Sequence, residues 1–297
     1  MSRSLSQHVY HYSQPMHDEV LHAFVEKINK QYQDSVVGIV FYGSCMRTRE
    51  YNDAILDFYV IIDKYSLAYD SYWLRFANSA LPPNVFYLQI CVDEKIYRAK
   101  YAVMSKKSLF ANVNKAFHSY FWARFTQPMT CIYMHNEEFK QWFVGIQCAA
   151  SKSFFYNVLS SVSKNSTSSE FWIKGFQLTY AAELRAESKS RAVTIYENNR
   201  EYYDGVFSGL VAEYNFSPQN KFINNIKWKV RILYGKFLSV LRLMKATTTF
   251  VGGVDYIAWK IERHTGEPVS VSDKARKYPW IYIWPIVFNL FKQGKIR

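Results

Sequence analysis

Four short, largely apolar runs open the chain's pattern: "SVVGIVFY" (35–42), "AILDFYVII" (54–62), "NVFYLQICV" (84–92) and "KIYRAKYAVM" (95–104). Each is rich in β-branched and aromatic residues and too short for a typical helix, so each predicts a buried strand. Only Asp93 and Glu94 separate the last two, which predicts a hairpin. Ahead of them, residues 16–32 place Val20, Phe24 and Ile28 at helical spacing. Residues 108–125 predict a further helix, closed by Gln127-Pro128.

Beyond about residue 130 the period changes. Residues 136–163 read as helical, and a Ser-rich loop fills 160–170. Thr167-x-x-Glu170 is a capping box that opens one long helix through Tyr203. Within 221–245, Ile223, Ile226, Val230, Leu233, Phe237, Leu241 and Met244 recur at steps of three and four. Lys229, Arg231, Lys236 and Arg242 fall off that stripe, so the segment predicts a basic amphipathic helix. The expected class is α+β: a mixed-sheet domain over 1–132, a mainly helical domain over 133–220, and a basic amphipathic region over 221–297.

Composition narrows this picture. The 297 residues are 49% hydrophobic and 18% aromatic, which excludes a disordered chain. The formal charge is +13, and its distribution is uneven. Residues 221–297 carry 15 basic and 4 acidic side chains, a net of +11, while the preceding residues are nearly balanced. Such a tail suits an anionic membrane, an acidic partner or nucleic acid. Cys45, Cys91, Cys131 and Cys148 are scattered with no CxxC pair, which points to free thiols in a reducing compartment. The N-terminal residues lack the apolar core of a signal peptide, and no run reaches the 18 apolar residues of a spanning helix. His8, His11, His17 and His22 have no Cys or acid at ligand spacing and read as surface histidines.

One carboxylate breaks the apolar pattern. Asp57 lies inside "ILDFYVII", and the preceding strand ends at Gly43-Ser44. An isolated buried carboxylate is costly unless it is paired or binds metal. This arrangement resembles the nucleotidyltransferase fold. There, Gly43 would let the backbone approach a triphosphate, Ser44 and nearby N–H groups would bind phosphate oxygens, and Asp57 would hold Mg²⁺. The alternative is pairing of Asp57 with a buried Arg or Lys. Most such folds carry a second acid at i+2; here that position is Tyr59, and Asp53 and Asp63 only flank the strand.

"YGSC…ILDFYVII", "VFYLQI", "KYAVMS", "YFWARFTQPM", "TYAAELR" and "SRAVTIYENNREYY" follow one another in the order of a known family. Over about residues 37–205 the chain resembles the mitochondrial translocator assembly and maintenance protein family, the peripheral phosphatidate cytidylyltransferases, as a divergent bacterial-type relative. Cys45, Ala102 and Ala182 stand where the family has glycine, Glu183 where it has Asp, and Gln127 where it has a basic residue.

The resemblance implies a nucleotidyltransferase domain, a winged-helix-like second domain and a C-terminal segment that docks on a membrane. It also implies transfer from CTP to phosphatidate, giving CDP-diacylglycerol and pyrophosphate, at the inner, cytoplasmic face of a membrane. Lys100 and Arg124 match its basic positions and would neutralise phosphates. Glu183 would complete the metal site, or else make a helix salt bridge. Arg185 and Lys189, with Arg191, would bind nucleotide or lipid phosphate. The apolar run 279–291, with Trp280, Tyr282 and Trp284 and its flanking cations, favours a membrane interface. The tail's apolar stripe argues against nucleic acid, which is read through polar stacking grooves. Another lipid phosphate or a phosphosugar is the alternative acceptor.

Overall fold

A computed structural model describes residues 4–163, 165–183, 189–214, 220–249 and 255. Arg185 and the aromatic run at 279–291 lie outside them. Helices α1 (Leu5–Tyr12) and α2 (Glu19–Tyr32) precede strand β1 (Val36–Tyr42). A short helix α3 (Ser44–Thr48) leads to β2 (Ile55–Ile62), then α4 (Tyr65–Ala68) and α5 (Tyr72–Ala80). The hairpin β3 (Asn84–Val92) and β4 (Lys95–Ser105) follows, then α6 (Lys106–Lys115), α7 (Tyr120–Phe125) and β5 (Met129–Met134). The remainder is helical: α8 (Glu137–Val158), α9 (Ser168–Ala181), α10 (Lys189–Glu197), α11 (Arg200–Glu213) and α12 (Lys221–Thr249).

The sheet is mixed, in the order β3-β4-β2-β1-β5, with β2 and β4 parallel and the other pairs antiparallel. All four expected strands form, and Asp93 and Glu94 make the hairpin turn with both φ angles positive. That two-residue turn matches the right-handed twist of its strands. The edge strand β5 was not expected. It pairs with β1, so the sheet continues past residue 132.

Strand alternation sends side chains to two separate cores. Leu56, Phe58, Val60 and Ile62 of β2 face α2, where Leu21, Phe24 and Ile28 cover them. Tyr59 and Ile61 face the opposite way, into a core shared with Phe143, Phe154, Trp172 and Tyr203 of the helices. Both faces of β1 and β2 are covered, which explains why these two strands read as largely apolar runs. The helical half has no core of its own. Even α1 belongs to it: Leu5 and Val9 are buried in the shared core, and Leu5 N–H donates to Glu213 Oε1 at 2.7 Å.

Two expectations need correction. The predicted helix 108–125 is two helices, because Ala116 turns extended and ends α6. The break frees the Phe117 carbonyl, which accepts from Arg231 Nε at 2.7 Å. The long helix predicted from Thr167 is also divided. Its capping box forms as expected, but α9 ends at Ala181. No strand lies among the described residues after Met134, so the helical part has no described β wing.

The basic helix forms as expected over Lys221–Thr249, but it presents the reverse of the usual face. Asn224, Trp228, Arg231 and Leu238 are buried against the molecule. Ile223, Ile226, Val230, Leu233, Phe237 and Met244 of the apolar stripe are exposed, Leu233 by 70%. Arg231 sits between the Phe117 and Trp228 rings and donates Nη2 to Asn157 Oδ1 at 2.6 Å. Lys245 Nζ donates to the carbonyls of Leu81 and Pro83, each at 2.6 Å. The cations off the stripe thus hold α12 in place.

Candidate active site

The sheet register assembles the first group of predicted residues. Tyr42, Asp57 and Lys100 are consecutive partners across β1, β2 and β4, so their side chains stand on one face. This is the face that packs on the helices. Asp57 Oδ1 lies 3.5 Å from Lys100 Nζ, with both side chains 32% exposed. The acid is therefore only half-buried, near the end of the strand rather than sealed within it. Cation pairing, the alternative for Asp57, is part of the arrangement.

Gly43 lies on the other side of Asp57. Its φ of +91° is strained for any side-chain-bearing residue, and a Cβ there would stand 3.4 Å from Asp57 Oδ2. The space beside that oxygen is open because residue 43 is glycine. Ser44 begins α3 and is exposed at this turn. Cys45, in place of the family glycine, is buried and donates Sγ–H to Ile55 O at 3.4 Å, tying the turn to β2 two residues before Asp57.

The second group lies on the helical side of the same face. Arg124, near the end of α7, lies above the rings of Tyr120 at 5.0 Å and Tyr42 at 5.9 Å. Its Nη2 is 3.7 Å from Glu183 Oε1. Burial opposes the guanidinium charge, but Tyr120, Tyr59, Tyr42 and Glu183 outweigh it and hold Arg124 firmly protonated. Tyr42 is pushed up by burial and then by Asp57, so it stays a neutral phenol. Tyr42 links the groups: it partners Asp57 in the register and lies under Arg124.

Glu183 follows the end of α9 instead of lying within a helix, and its ion pair is with Arg124 rather than along a helix. Tyr59, where a second acid was sought, is a core residue 4.7 Å ring to ring from Phe125. Lys189 begins α10. Among the described residues no three His, Cys, Asp or Glu side chains are grouped to hold a metal.

Arg242 was not expected at this place. It stacks over Tyr120 at 4.4 Å and donates Nε to Pro82 O at 3.1 Å. With His118, Ser119, Glu183 and Ser239 it lines a small cleft where α7, α9 and α12 meet. Its position off the apolar stripe was the available signal, but a cation off a stripe ordinarily marks a solvated face.

No family model matches the chain, and no curated protein matches it. Among solved structures, a nucleotidyltransferase-like protein from Exiguobacterium sibiricum is 12% identical over 94% of this chain and 93% of its own, with a TM-score of 0.25. A likeness that low carries no argument about fold or activity.

Proposed function

We propose that the chain is a nucleotidyltransferase that transfers CMP from CTP to phosphatidate at a membrane surface. The observation that carries this reading is the open side of Asp57: one carboxylate oxygen faces the Gly43 turn and the other faces Lys100. The resemblance of the ordered sequence blocks over 37–205 supports CTP as the nucleotide and phosphatidate as the acceptor. The acceptor is already anionic, so positioning and charge neutralisation supply most of the rate. A phosphatidate oxygen attacks the α-phosphorus, a new P–O bond forms, the α–β bridging bond breaks and pyrophosphate leaves. Lys100 and Arg124 neutralise phosphate oxygens, and Gly43 and Ser44 receive the triphosphate. Asp57 would hold Mg²⁺, which fits a single carboxylate when the other ligands are phosphate oxygens and water. When bound, the ion neutralises charge on the phosphates.

The membrane part of the reading rests on α12. No helix among the described residues is long and apolar enough to cross a bilayer. The outward apolar stripe, flanked by exposed Lys229 and Lys236, suits a helix lying in the interface of an anionic leaflet. Exposed Tyr72, Trp73 and Phe76 on α5 extend this surface, since Trp73 Nε1 donates to Thr248 Oγ1 at 3.3 Å. Nucleic acid is disfavoured because Arg231, Arg242 and Lys245 are engaged inward. The test is incubation of the purified chain with labelled CTP, Mg²⁺ and phosphatidate vesicles. Labelled CDP-diacylglycerol is expected. Label on a different lipid phosphate or a phosphosugar would reassign the acceptor, and no labelled product with any acceptor would overturn the reading.

A further inference from the structure

The cleft between α7, α9 and α12 has the chemistry of an anion site. Arg242 enters it from α12, and the only hydrogen bond of its guanidinium among the described residues is made by Nε. His118, which also lines it, is 8% exposed, and its Nδ1 has no hydrogen-bond partner. A buried ring nitrogen without a partner is uncommon in a folded protein and asks for a ligand or water. Outside the lining, the Nε of Arg124, whose guanidinium lies over the ring of Tyr120, is likewise buried without a partner. Glu183 also lines the cleft, but its charge faces Arg124 Nη2 at 3.7 Å. Ser119 supplies a hydroxyl, and Ser239, whose Oγ donates to Gly235 O at 2.9 Å, also lines the cleft.

The fold brings α12 unusually close at this point. A Cβ at Gly235 would lie 2.6 Å from Ala182 O, so only glycine lets the helix seat against the end of α9 and carry Arg242 into the cleft. The cleft adjoins the Asp57 group through Tyr120 and Arg124. It is also built from the helix whose outer face is apolar.

We propose that this cleft binds a phosphate monoester, with Arg242 as its principal ligand and His118 and Ser239 beside it. On the transferase reading it is the subsite for the acceptor's phosphate, delivered by the same helix that meets the lipid. The assignment of the acceptor rests on that reading, whereas the binding of phosphate does not. Arg fits because its planar fork can present two donors to one phosphate.

The test is titration calorimetry on the full chain, without nucleotide or divalent metal. The probes are inorganic phosphate, glycerol 3-phosphate and dihexanoyl phosphatidate below its micelle concentration. Saturable binding is expected, weakened about 10-fold or more by Arg242→Gln and only partly by Arg242→Lys. Ser239→Asp places a repelling carboxylate in the cleft without removing Arg242's bond to Pro82, and is expected to weaken binding comparably with an unchanged circular dichroism spectrum. Lys27→Gln, on the exposed face of α2, is expected to bind as the native chain does. Tighter binding of the lipid than of inorganic phosphate supports an acceptor subsite, while equal affinity supports a free-phosphate site and overturns the acceptor assignment. Absence of saturable binding to the native chain, or native affinity in both Arg242→Gln and Ser239→Asp, overturns the site itself. Failure of CMP transfer with binding intact would remove the transferase reading and leave the site standing.

Discussion

At Asp57 the side chain's neighbours matter more than the strand that carries it. Its strand neighbours Leu56 and Phe58 are fully buried on the opposite face, whereas Asp57 opens toward Gly43 and Lys100. Replacing Asp57 by Asn keeps the shape and removes the charge. On the transferase reading it should lower CMP transfer by more than about 100-fold, as loss of a group acting on the phosphate charge does, with an unchanged thermal midpoint. Native activity in that variant would remove Asp57 from the site. Gly43→Ala should cost about 1 kcal/mol of stability from its positive φ and also narrow the space at Asp57 Oδ2. Urea unfolding and CTP-binding measurements check the two effects separately. The acid and the turn were legible because a charge inside an apolar run is conspicuous. Lys100 as the ion partner was not, because a parallel register between strands 43 residues apart leaves no local mark. Tyr59 was legible only as a missing acid; its packing on Phe125 depends on a helix that the pattern did not break correctly.

At the scale of elements, α12 inverts the usual relation between apolar stripe and core. Leu233→Glu with Phe237→Glu changes residues that are 70% and 58% exposed, so stability should hold within about 0.5 kcal/mol. The same pair should abolish sedimentation with anionic vesicles if the stripe meets lipid. Trp228→Ala should behave oppositely, costing about 3–5 kcal/mol, because Trp228 is buried beside Trp122 and donates to Asn157 O at 3.0 Å. Equal losses of stability in the two variants would mean that α12 does not turn its Trp228 face inward and its Leu233 face outward. Helical spacing correctly placed the stripe along the chain. It could not say which way the stripe faces, since the cost of leaving it outside is offset by Trp228, Arg231 and Lys245, which read as ordinary residues off the stripe. The hairpin, the Thr167 capping box and α2 were legible because each rests on short-range chemistry. The breaks after Lys115 and Ala181 were not, because neither carries Gly or Pro.

For the whole molecule, α12 is a structural member rather than an appendage. Truncation after residue 220 would strip Trp228 and Arg231 from the shared core and is expected to leave a chain that does not melt cooperatively. The pH response should also be global. Burial, then Arg242 and Arg231, push His118 from 6.5 down to about 4. Between those values the unfolded chain holds a proton that the folded chain does not, so stability is fully present above about pH 6.5 and falls as the pH drops toward 4. His118→Gln should flatten that slope by at most about 3 kcal/mol, read as the difference in urea midpoints at pH 4.5 and 7.

The placement of α1 has a consequence for how the protein is made. Its buried face closes on α11, and the bond from Leu5 to Glu213 spans 208 positions. At roughly 5–20 residues per second, a ribosome needs about 10–40 s to deliver that partner. Leu5 and Val9 therefore emerge long before that partner, open to chaperones or to a neighbouring nascent chain until α11 arrives.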